Sequence, residues 1–263
     1  MGYSGYALFH RDIIDFIENI VSTDEETASN AIMQKRADDV MDNIRSSDFV
    51  VVVFYPQSET RIVKMVDTAM SSIEKSRRIT VTYPEVASLM EVPFPSIVLY
   101  QKDQKKQYKG ELAVSSLRRW FLIEELPLII PYTPTYSKKV FNKELKMNDH
   151  IMFFAPSKET VPSEATRVVE RIAKQYRGRM VVLHIPSENH LLLDYFGVKE
   201  WEVPTIGIIH YGEGDQEKFL LKEKLTFENA INFIKKFYKG ELTRIRRSEE
   251  EPVENKGPVY VAY

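Results

Sequence analysis

Hydrophobic residues along this chain form two kinds of stretch, which predict strands and helices in alternation. Continuous apolar runs at 49–54 and 151–155 have the length of a strand. An unbroken run is typical of a strand that is buried on both faces. After each run, apolar residues recur at steps of three and four over 60–76 and 163–176, which indicates a helix with one face against a sheet. The pattern therefore predicts a sheet covered by helices.

The whole pattern occurs twice. Both runs lead into Pro-x-x-Glu-Thr, at 56–60 and 156–160. Each copy continues with a strand, a short helix, a strand opened by a proline, a charged hairpin with a last strand, and a closing amphipathic helix. A leading strand and its helix are expected before each run, with the strands near 31–34 and 128–132. Self-similarity at this spacing predicts two tandem domains of order βαβαβαββα, each with a mixed central sheet flanked by helices.

Both ends of the sequence look like parts of further copies. Tyr3-x-Gly5 stands before a helical pattern at 10–21, as Tyr108-x-Gly110 stands before the closing helix of the first copy. Residues 258–263 read as the first strand of another copy. We therefore expect this chain to be a piece of a longer tandem array.

Composition excludes several classes of function. The 36 basic and 38 acidic residues nearly balance, whereas a nucleic-acid binder would carry a clustered basic excess. No apolar run approaches the ~18–20 residues that span a bilayer. Cysteine is absent. The five histidines lack the spacing of a zinc site, so we expect neither a metal nor a cofactor. They are His10, His150, His184, His190 and His210.

The order of elements, with a proline opening the fourth strand of each copy, resembles the thioredoxin fold. In active members of that fold, a Cys-x-x-Cys pair follows the second strand, and the helix N-terminus there lowers the pKa of a reactive thiol. This chain has 56–59 (Pro-Gln-Ser-Glu) and 156–159 (Pro-Ser-Lys-Glu) at those places. The chain is therefore expected to lack thiol–disulfide exchange activity. The resemblance also implies that Pro95 and Pro204 are structural cis-prolines.

Residues 126–263 more specifically resemble protein disulfide isomerase. Residues 126–133 (Leu-Pro-Leu-Ile-Ile-Pro-Tyr-Thr) are similar to the opening of that family's b′ domain, 194–199 with 203–205 to its third helix and next strand, and 239–259 to its x-linker. The implied boundaries are 1–22 for the closing hairpin and helix of an a domain, 25–125 for b, 126–240 for b′, 241–257 for the x-linker and 258–263 for the start of a′. The parent protein would be an enzyme, a protein disulfide isomerase of the endoplasmic reticulum lumen, and this part of it would not.

In the family that this chain resembles, b′ holds the hydrophobic pocket for unfolded polypeptide. Matching the motifs places that pocket on Tyr132, Ser137, Phe141, Leu183, Leu192, Tyr195 and Tyr211. For each of these residues, simple membership of the core stays open as the alternative. Leu183 and Phe141 favour the core, whereas Tyr195 and Tyr211 favour the surface, because a phenol needs a wet or hydrogen-bonded tip.

These expectations combine into a redox-inactive b–b′ core that binds unfolded or misfolded polypeptide and spaces two catalytic domains. Holding a substrate near the flanking thiols would raise its effective concentration there. The x-linker is expected to cap the pocket through Leu242, Ile245 and Val253. Two alternatives remain: an adaptor that binds the acidic arm of a lectin chaperone through basic b′ residues, and a non-catalytic chaperone of the same family. Partners would be unfolded polypeptides and another chaperone of that compartment, with no nucleic acid and no membrane.

Overall fold

The computed structural model describes residues 27–71, 73, 76–101, 104–157, 163–212 and 215–245. The predictions for 1–22 and 258–263, and most of the linker prediction, lie outside these residues. Contacts divide the chain into two units, with the division between Glu125 and Leu126. In the described ranges, no helix is both long and apolar enough to cross a membrane.

The first unit is a four-stranded mixed sheet with helices on its faces. Its elements are α1 (27–45), β1 (Val50–Phe54), α2 (Thr60–Met70), β2 (Arg77–Val81), α3 (Pro84–Leu89), β3 (Ser96–Gln101), β4 (Gln104–Gln107) and α4 (Val114–Glu125). The strand order is β2-β1-β3-β4, with β2 parallel to β1 and the other two pairs antiparallel. All five residues of β1 are buried, as its unbroken apolar run predicts.

The strand predicted near 31–34 is wrong, because those residues lie inside helix α1. A run of three apolar residues fits a strand or a helix equally, and the wider pattern decides between them. Met33, Ala37, Val40 and Ile44 recur at steps of three and four, and all four pack into one core cluster of the unit. Packing of this stripe accounts for the helix.

The second unit has a five-stranded mixed sheet. Its elements are β5 (Ile130–Pro131), α5 (Pro134–Val140), β6 (Asp149–Ala155), α6 (Glu164–Gln175), β7 (Val181–Pro186), α7 (His190–Phe196), a 3₁₀ turn (Glu200–Glu202), β8 (Thr205–Tyr211), β9 (Gln216–Leu220) and α8 (Phe227–Lys239). The strand order is β5-β7-β6-β8-β9. Two mixed sheets, each flanked by helices, confirm the predicted fold class.

The two faces of the second sheet pack against different helices. Ile151, Phe153 and Ala155 of β6 belong to a core cluster that includes residues of α6 and α8. Successive side chains of a strand point to opposite faces, so the intervening residues of β6 face the other way. There, Phe154 packs against Phe196 of α7, with ring centroids 5.3 Å apart. The face that carries α5 and α7 is the face of the candidate site.

A proline opens one strand in each unit, as the sequence analysis proposed. The Phe94–Pro95 and Val203–Pro204 peptide bonds are both cis. Pro95 directly precedes β3, and Pro204 directly precedes β8. The two units therefore share this local geometry at equivalent points of the fold.

Candidate functional site

Helix α5 places two aromatic side chains at its two ends. Tyr132 stands between β5 and the helix, and its N–H donates to the carbonyl of His184 on β7 at 3.1 Å. The Thr133 side chain caps the helix by accepting from the Tyr136 N–H. Phe141 ends the helix, and its N–H donates to the Ser137 carbonyl at 3.0 Å. Tyr132 is 39% exposed and Phe141 is 49% exposed, although the sequence analysis favoured the core for Phe141.

Phe141 packs on a small aromatic cluster at the ends of β6 and β8. Its ring centroid lies 5.4 Å from that of Tyr211 in an edge-to-face arrangement, and 5.2 Å from that of His150. His150 and Tyr211 lie 4.9 Å apart. The half-exposed phenyl ring of Phe141 therefore rests on a floor made of a histidine and a tyrosine.

His150 is fully buried and neutral. Its Nε2 lies 3.2 Å from the carbonyl oxygen of Met147, and since a carbonyl only accepts, Nε2 carries the proton. Nδ1 is then an acceptor, and it has no hydrogen-bond partner among the residues that the structure describes. Burial lowers the pKa of His150 to about 4, because a low-dielectric surrounding disfavours the imidazolium.

Three tyrosines lie close enough to influence one another. Burial, together with the neighbouring Tyr132 and Tyr195, raises the pKa of Tyr211 to about 12. The Tyr211 hydroxyl is therefore neutral at physiological pH. The Tyr195 hydroxyl donates to Oε1 of Gln216 at 3.1 Å, and Gln216 pairs with Tyr211 across β8 and β9. Tyr132, Phe141, Tyr195 and Tyr211 are called the aromatic surface below.

A buried lysine holds the helix that carries Tyr195. Lys218 on β9 is 5% exposed. Its Nζ donates to the Tyr195 carbonyl at 2.6 Å and lies 3.6 Å from the centroid of the Tyr195 ring. The cation thus contacts both the backbone near the C-terminus of α7 and the face of an aromatic ring, and both contacts favour a positive charge.

Helix α7 is fixed at both ends. The Asn189 side chain accepts from the Leu192 N–H at the start of the helix. Gly197 ends it in the left-handed conformation, with φ of 68°, which glycine adopts without strain. Phe196 is buried beside Gly207 of β8, where an added Cβ would lie 2.8 Å from the Phe196 ring. The side chains of α7 therefore have a defined position on the sheet.

The structure does not bring all seven predicted residues to the surface. Leu183 is 1% exposed and lies in the sheet between Ile130 and Met152, so it belongs to the core. Leu192 and Ser137 are half-buried. Leu192 lies one helical turn before Tyr195, and Ser137 lies one turn before Phe141. These two residues border the aromatic surface.

Comparison with known proteins shows what this chain is related to. A sequence model described as a thioredoxin-like domain matches residues 57–236. That match covers more than half of the chain. The chain belongs to the thioredoxin-like domain family.

Relatives of this thioredoxin-like chain include protein disulfide-isomerases. It is 26% identical over 225 residues to that of Drosophila melanogaster, which covers 83% of this chain and 45% of the relative. It is 24% identical over 214 residues to that of Oryctolagus cuniculus, which covers 80% of this chain and 42% of the relative. The chain spans less than half the length of these relatives. Homology to protein disulfide-isomerases, as the sequence analysis predicted, is confirmed.

A solved structure agrees with the fold of this thioredoxin-like chain. The zinc-bound form of human ERp44 superposes with a TM-score of 0.50 at 13% identity, covering 74% of this chain and 54% of that one. At that identity the likeness shows the fold alone.

Thiol chemistry is excluded for the residues of this thioredoxin-like chain, because it contains no cysteine. Ser157, in the second copy of the Pro-x-x-Glu-Thr motif, instead donates a hydrogen bond of 2.7 Å to Glu188. This bond lowers the pKa of the Glu188 carboxyl below its usual range. The place that holds a thiolate in active members of the fold therefore holds a hydroxyl and an acidic neighbour here.

The first residues of the predicted linker lie on the opposite face from the aromatic surface. Leu242 packs against the core cluster of α6 and α8, so the prediction that it contacts the pocket is wrong. The Ile245 N–H donates to the Lys218 carbonyl at 2.8 Å, which places this residue at the edge of β9. A groove of about 630 Å³ lies among β9, α8 and this segment. Val253 lies outside the described residues.

Two residues of the site were missed by reasoning from the sequence. His150 was considered only as a metal ligand, and Lys218 only as part of a charged hairpin. The alternation of side chains along β6 and β9 was the available signal. It places His150 on the same face of the sheet as Met152, and it places Lys218 on the face opposite to its neighbours Glu217 and Phe219. Their contacts with Phe141 and Tyr195 depend on the packing of the helices, which alternation alone does not give.

Proposed function

We propose that this chain is the redox-inactive, substrate-binding part of a protein disulfide-isomerase homologue, and that unfolded polypeptide binds at the aromatic surface. The observation that carries the proposal is the half-exposed Phe141 ring on a floor of His150 and Tyr211. Monomeric proteins seldom leave large aromatic rings grouped in water unless the rings serve binding.

The affinity of such a surface is modest. Covering half of a phenyl side chain removes roughly 100 Å² from water, which contributes about 2.5 kcal/mol at about 25 cal/mol per Å². Binding also costs ordering of the peptide. Low affinity and low sequence specificity suit a site for unfolded chains, because such chains must be released once they fold.

Tyrosine hydroxyl groups complement the apolar contact. Among the described residues, no hydrogen-bond partner is found for the hydroxyls of Tyr132 and Tyr211, whereas Tyr195 already donates to Gln216. A free phenol donates to a peptide carbonyl and accepts from a peptide N–H. Every polypeptide offers these backbone groups, so such contacts add affinity without selecting side chains.

The role in a larger protein is also a proposal. We infer that the two units space catalytic thioredoxin-like domains, as part of a protein disulfide-isomerase in the lumen of the endoplasmic reticulum. Homology to longer proteins of that name supports this role. Immunofluorescence of the full-length gene product with a lumenal marker tests the compartment.

The alternative that this chain is an adaptor for the acidic arm of a lectin chaperone stays a prediction. Binding of an acidic peptide with an affinity that falls as the salt concentration rises would support it.

Nuclear magnetic resonance titration of the 263-residue chain with an unfolded peptide tests the binding site. We expect chemical-shift changes at Tyr132, Phe141 and Tyr195. For Phe141→Ala we expect a roughly tenfold larger dissociation constant, since the ring supplies most of the apolar contact. Leu112→Ala is the matched control, because Leu112 is 43% exposed in the first unit. Shifts confined to the first unit, or equal losses for both variants, would contradict the proposal.

A further inference from the structure

Two large apolar side chains of the second unit stand almost entirely in water. Leu191 is 85% exposed and Trp201 is 83% exposed, more than any other large hydrophobic residue that the structure describes. A tryptophan on a polar turn contributes little to folding when it is this exposed. Tryptophan is, however, among the residues that most often dominate binding energy at interfaces.

These two side chains belong to neighbouring elements. Leu191 is in the first turn of α7, and Trp201 is in the middle of the 3₁₀ turn. His190 Nδ1 lies 3.9 Å from Oε1 of Glu200, which brings the start of the helix beside the turn. The turn itself is closed by the Lys199 N–H, which donates to Glu202 at 2.8 Å. The elements that carry Leu191 and Trp201 are therefore neighbours.

The pair is continuous with the aromatic surface. Leu191 and Tyr195 are four residues apart on α7, so they lie on the same side of the helix, one turn apart. A seven-residue helix is about 10 Å long. At about 3.3 Å per residue, about three to four residues of extended polypeptide would cover the length of α7 from Tyr195 past Leu191. The first turn of α7 lies beside the turn that carries Trp201.

The charge at the Trp201 end is acidic. Glu200 and Glu202 flank the tryptophan, and Glu188 lies in the turn that leads into α7; all three are exposed. Within residues 188–202, Lys199 is the one lysine or arginine. Three carboxylates against one ammonium attract a cationic segment and repel an acidic one, most strongly at low ionic strength.

We propose that the binding site extends from the aromatic surface across α7 to Trp201, and that it selects polypeptide segments that combine an apolar or aromatic residue with basic residues a few positions away. The inference rests on the proposed function and specifies the substrate class of that site. The apolar residue contacts Phe141 and Tyr195, the intervening chain covers Leu191, and the basic side chains reach Glu200 and Glu202. Indole and guanidinium groups also attract one another directly.

Two synthetic peptides with the same aromatic and aliphatic core test this extension on the 263-residue chain. One carries Lys and Arg after the core, and the other carries Glu and Asp at the same positions. The chain has two tryptophans, Trp120 in the first unit and Trp201, so two indole N–H signals report where the peptide lies. We expect the Trp201 signal to shift with the basic peptide, while the Trp120 signal serves as the internal reference.

Charge-neutral variants test the role of the carboxylates. The double variant Glu200→Gln with Glu202→Gln should lower the affinity for the basic peptide roughly three- to tenfold. The expected effect is modest because exposed ion pairs are individually weak. Glutamine still accepts the hydrogen bond from the Lys199 N–H, so the turn is kept. Glu164→Gln with Glu228→Gln is the matched control, because both glutamates are exposed on α6 and α8. These helices cover the opposite face of the sheet.

The outcomes separate the extension from the proposed function. If the peptide shifts Phe141 and Tyr195 but leaves Trp201 unshifted, or if basic and acidic peptides bind equally, the extension is wrong and the aromatic surface stands. If neither peptide binds, or if Phe141→Ala leaves the affinity for both peptides unchanged, the proposed function and the extension are both wrong. Trp201→Ala gives an independent measurement, with an expected loss of affinity for the basic peptide of roughly fivefold or more.

Discussion

His150 combines full burial with an unused hydrogen-bond acceptor. The side chain lies under Phe141 and beside Tyr211, and its Nε2 donates to Met147. An apolar residue of similar volume would avoid the desolvation of Nδ1. The sequence could not predict this state, because burial of a residue at the start of a strand depends on which loop and helix end cover it.

The buried imidazole makes the free energy of unfolding depend on pH. The pKa of His150 is about 4 in the folded chain, against 6.5 for a free side chain. The unfolded state therefore takes up a proton first as pH falls, so stability is lost between about pH 6.5 and pH 4 and is fully present above that range. The difference of about 2.5 pKa units corresponds to about 3 kcal/mol.

Urea unfolding at pH 7 and pH 4.5 measures this contribution. We expect His150→Leu to show a smaller loss of stability on acidification than the parent chain. His190→Gln is the control, since His190 is an exposed histidine and the substitution leaves the buried imidazole in place. Equal losses in the parent and in His150→Leu would show that His150 does not carry the pH dependence.

At the scale of elements, the sequence predicts the buried strands and the helices that cover them better than the segment that precedes the first buried strand. Strand β8 follows a proline and α8 closes the unit, as predicted, because Pro204 and the Thr226 cap define where these elements start. The prediction of a strand near 31–34 was wrong, since an apolar run of three residues is too short to show whether its spacing is that of a strand or of a helix. Resemblance placed Phe141 in the pocket although its residue type favoured the core, and its position directly after α5 leaves the side chain 49% exposed.

Helix α7 depends on a glycine of the strand beneath it. Gly207→Ala would place a Cβ 2.8 Å from the Phe196 ring and 3.0 Å from the Phe219 carbonyl, so the helix or the strand must move. We expect a loss of about 1–3 kcal/mol in the free energy of unfolding, and weaker peptide binding because Tyr195 moves with the helix.

Gly212→Ala is the matched substitution on the same hairpin. There the nearest atom to an added Cβ is the Asp215 carbonyl at 3.4 Å, which is nearly ordinary contact. Urea midpoints and peptide affinities of the two variants should differ clearly. If Gly207→Ala were as stable as Gly212→Ala, the close contact with Phe196 would not determine the position of the helix.

At the scale of the whole molecule, the internal repeat carried most of the prediction. Two copies of one motif order predicted two units of the same fold without any knowledge of contacts. The candidate site came from resemblance, which placed Tyr132, Phe141, Tyr195 and Tyr211 together. Composition alone excluded thiol chemistry, since the chain has no cysteine. Trp201 lay outside both arguments, because neither a repeat nor a family motif indicates exposure.

The absence of cysteine gives a prediction for the whole chain. Affinity for an unfolded, cysteine-free peptide should be the same in excess dithiothreitol and in an oxidising glutathione buffer, because neither partner has a thiol to exchange. Fluorescence anisotropy of a labelled peptide measures this affinity. A change in affinity with redox state would show that binding in this chain involves something other than the contacts described.

Lys218 connects the backbone at Ile245 with helix α7 of the second unit. Its carbonyl accepts from the Ile245 N–H, while its ammonium group holds the carbonyl of Tyr195. A displacement of the backbone at Ile245 would therefore act first on strand β9, and through the Lys218 side chain on the end of α7. If the proposed site binds a ligand, one lysine thus connects that site to the backbone at residue 245.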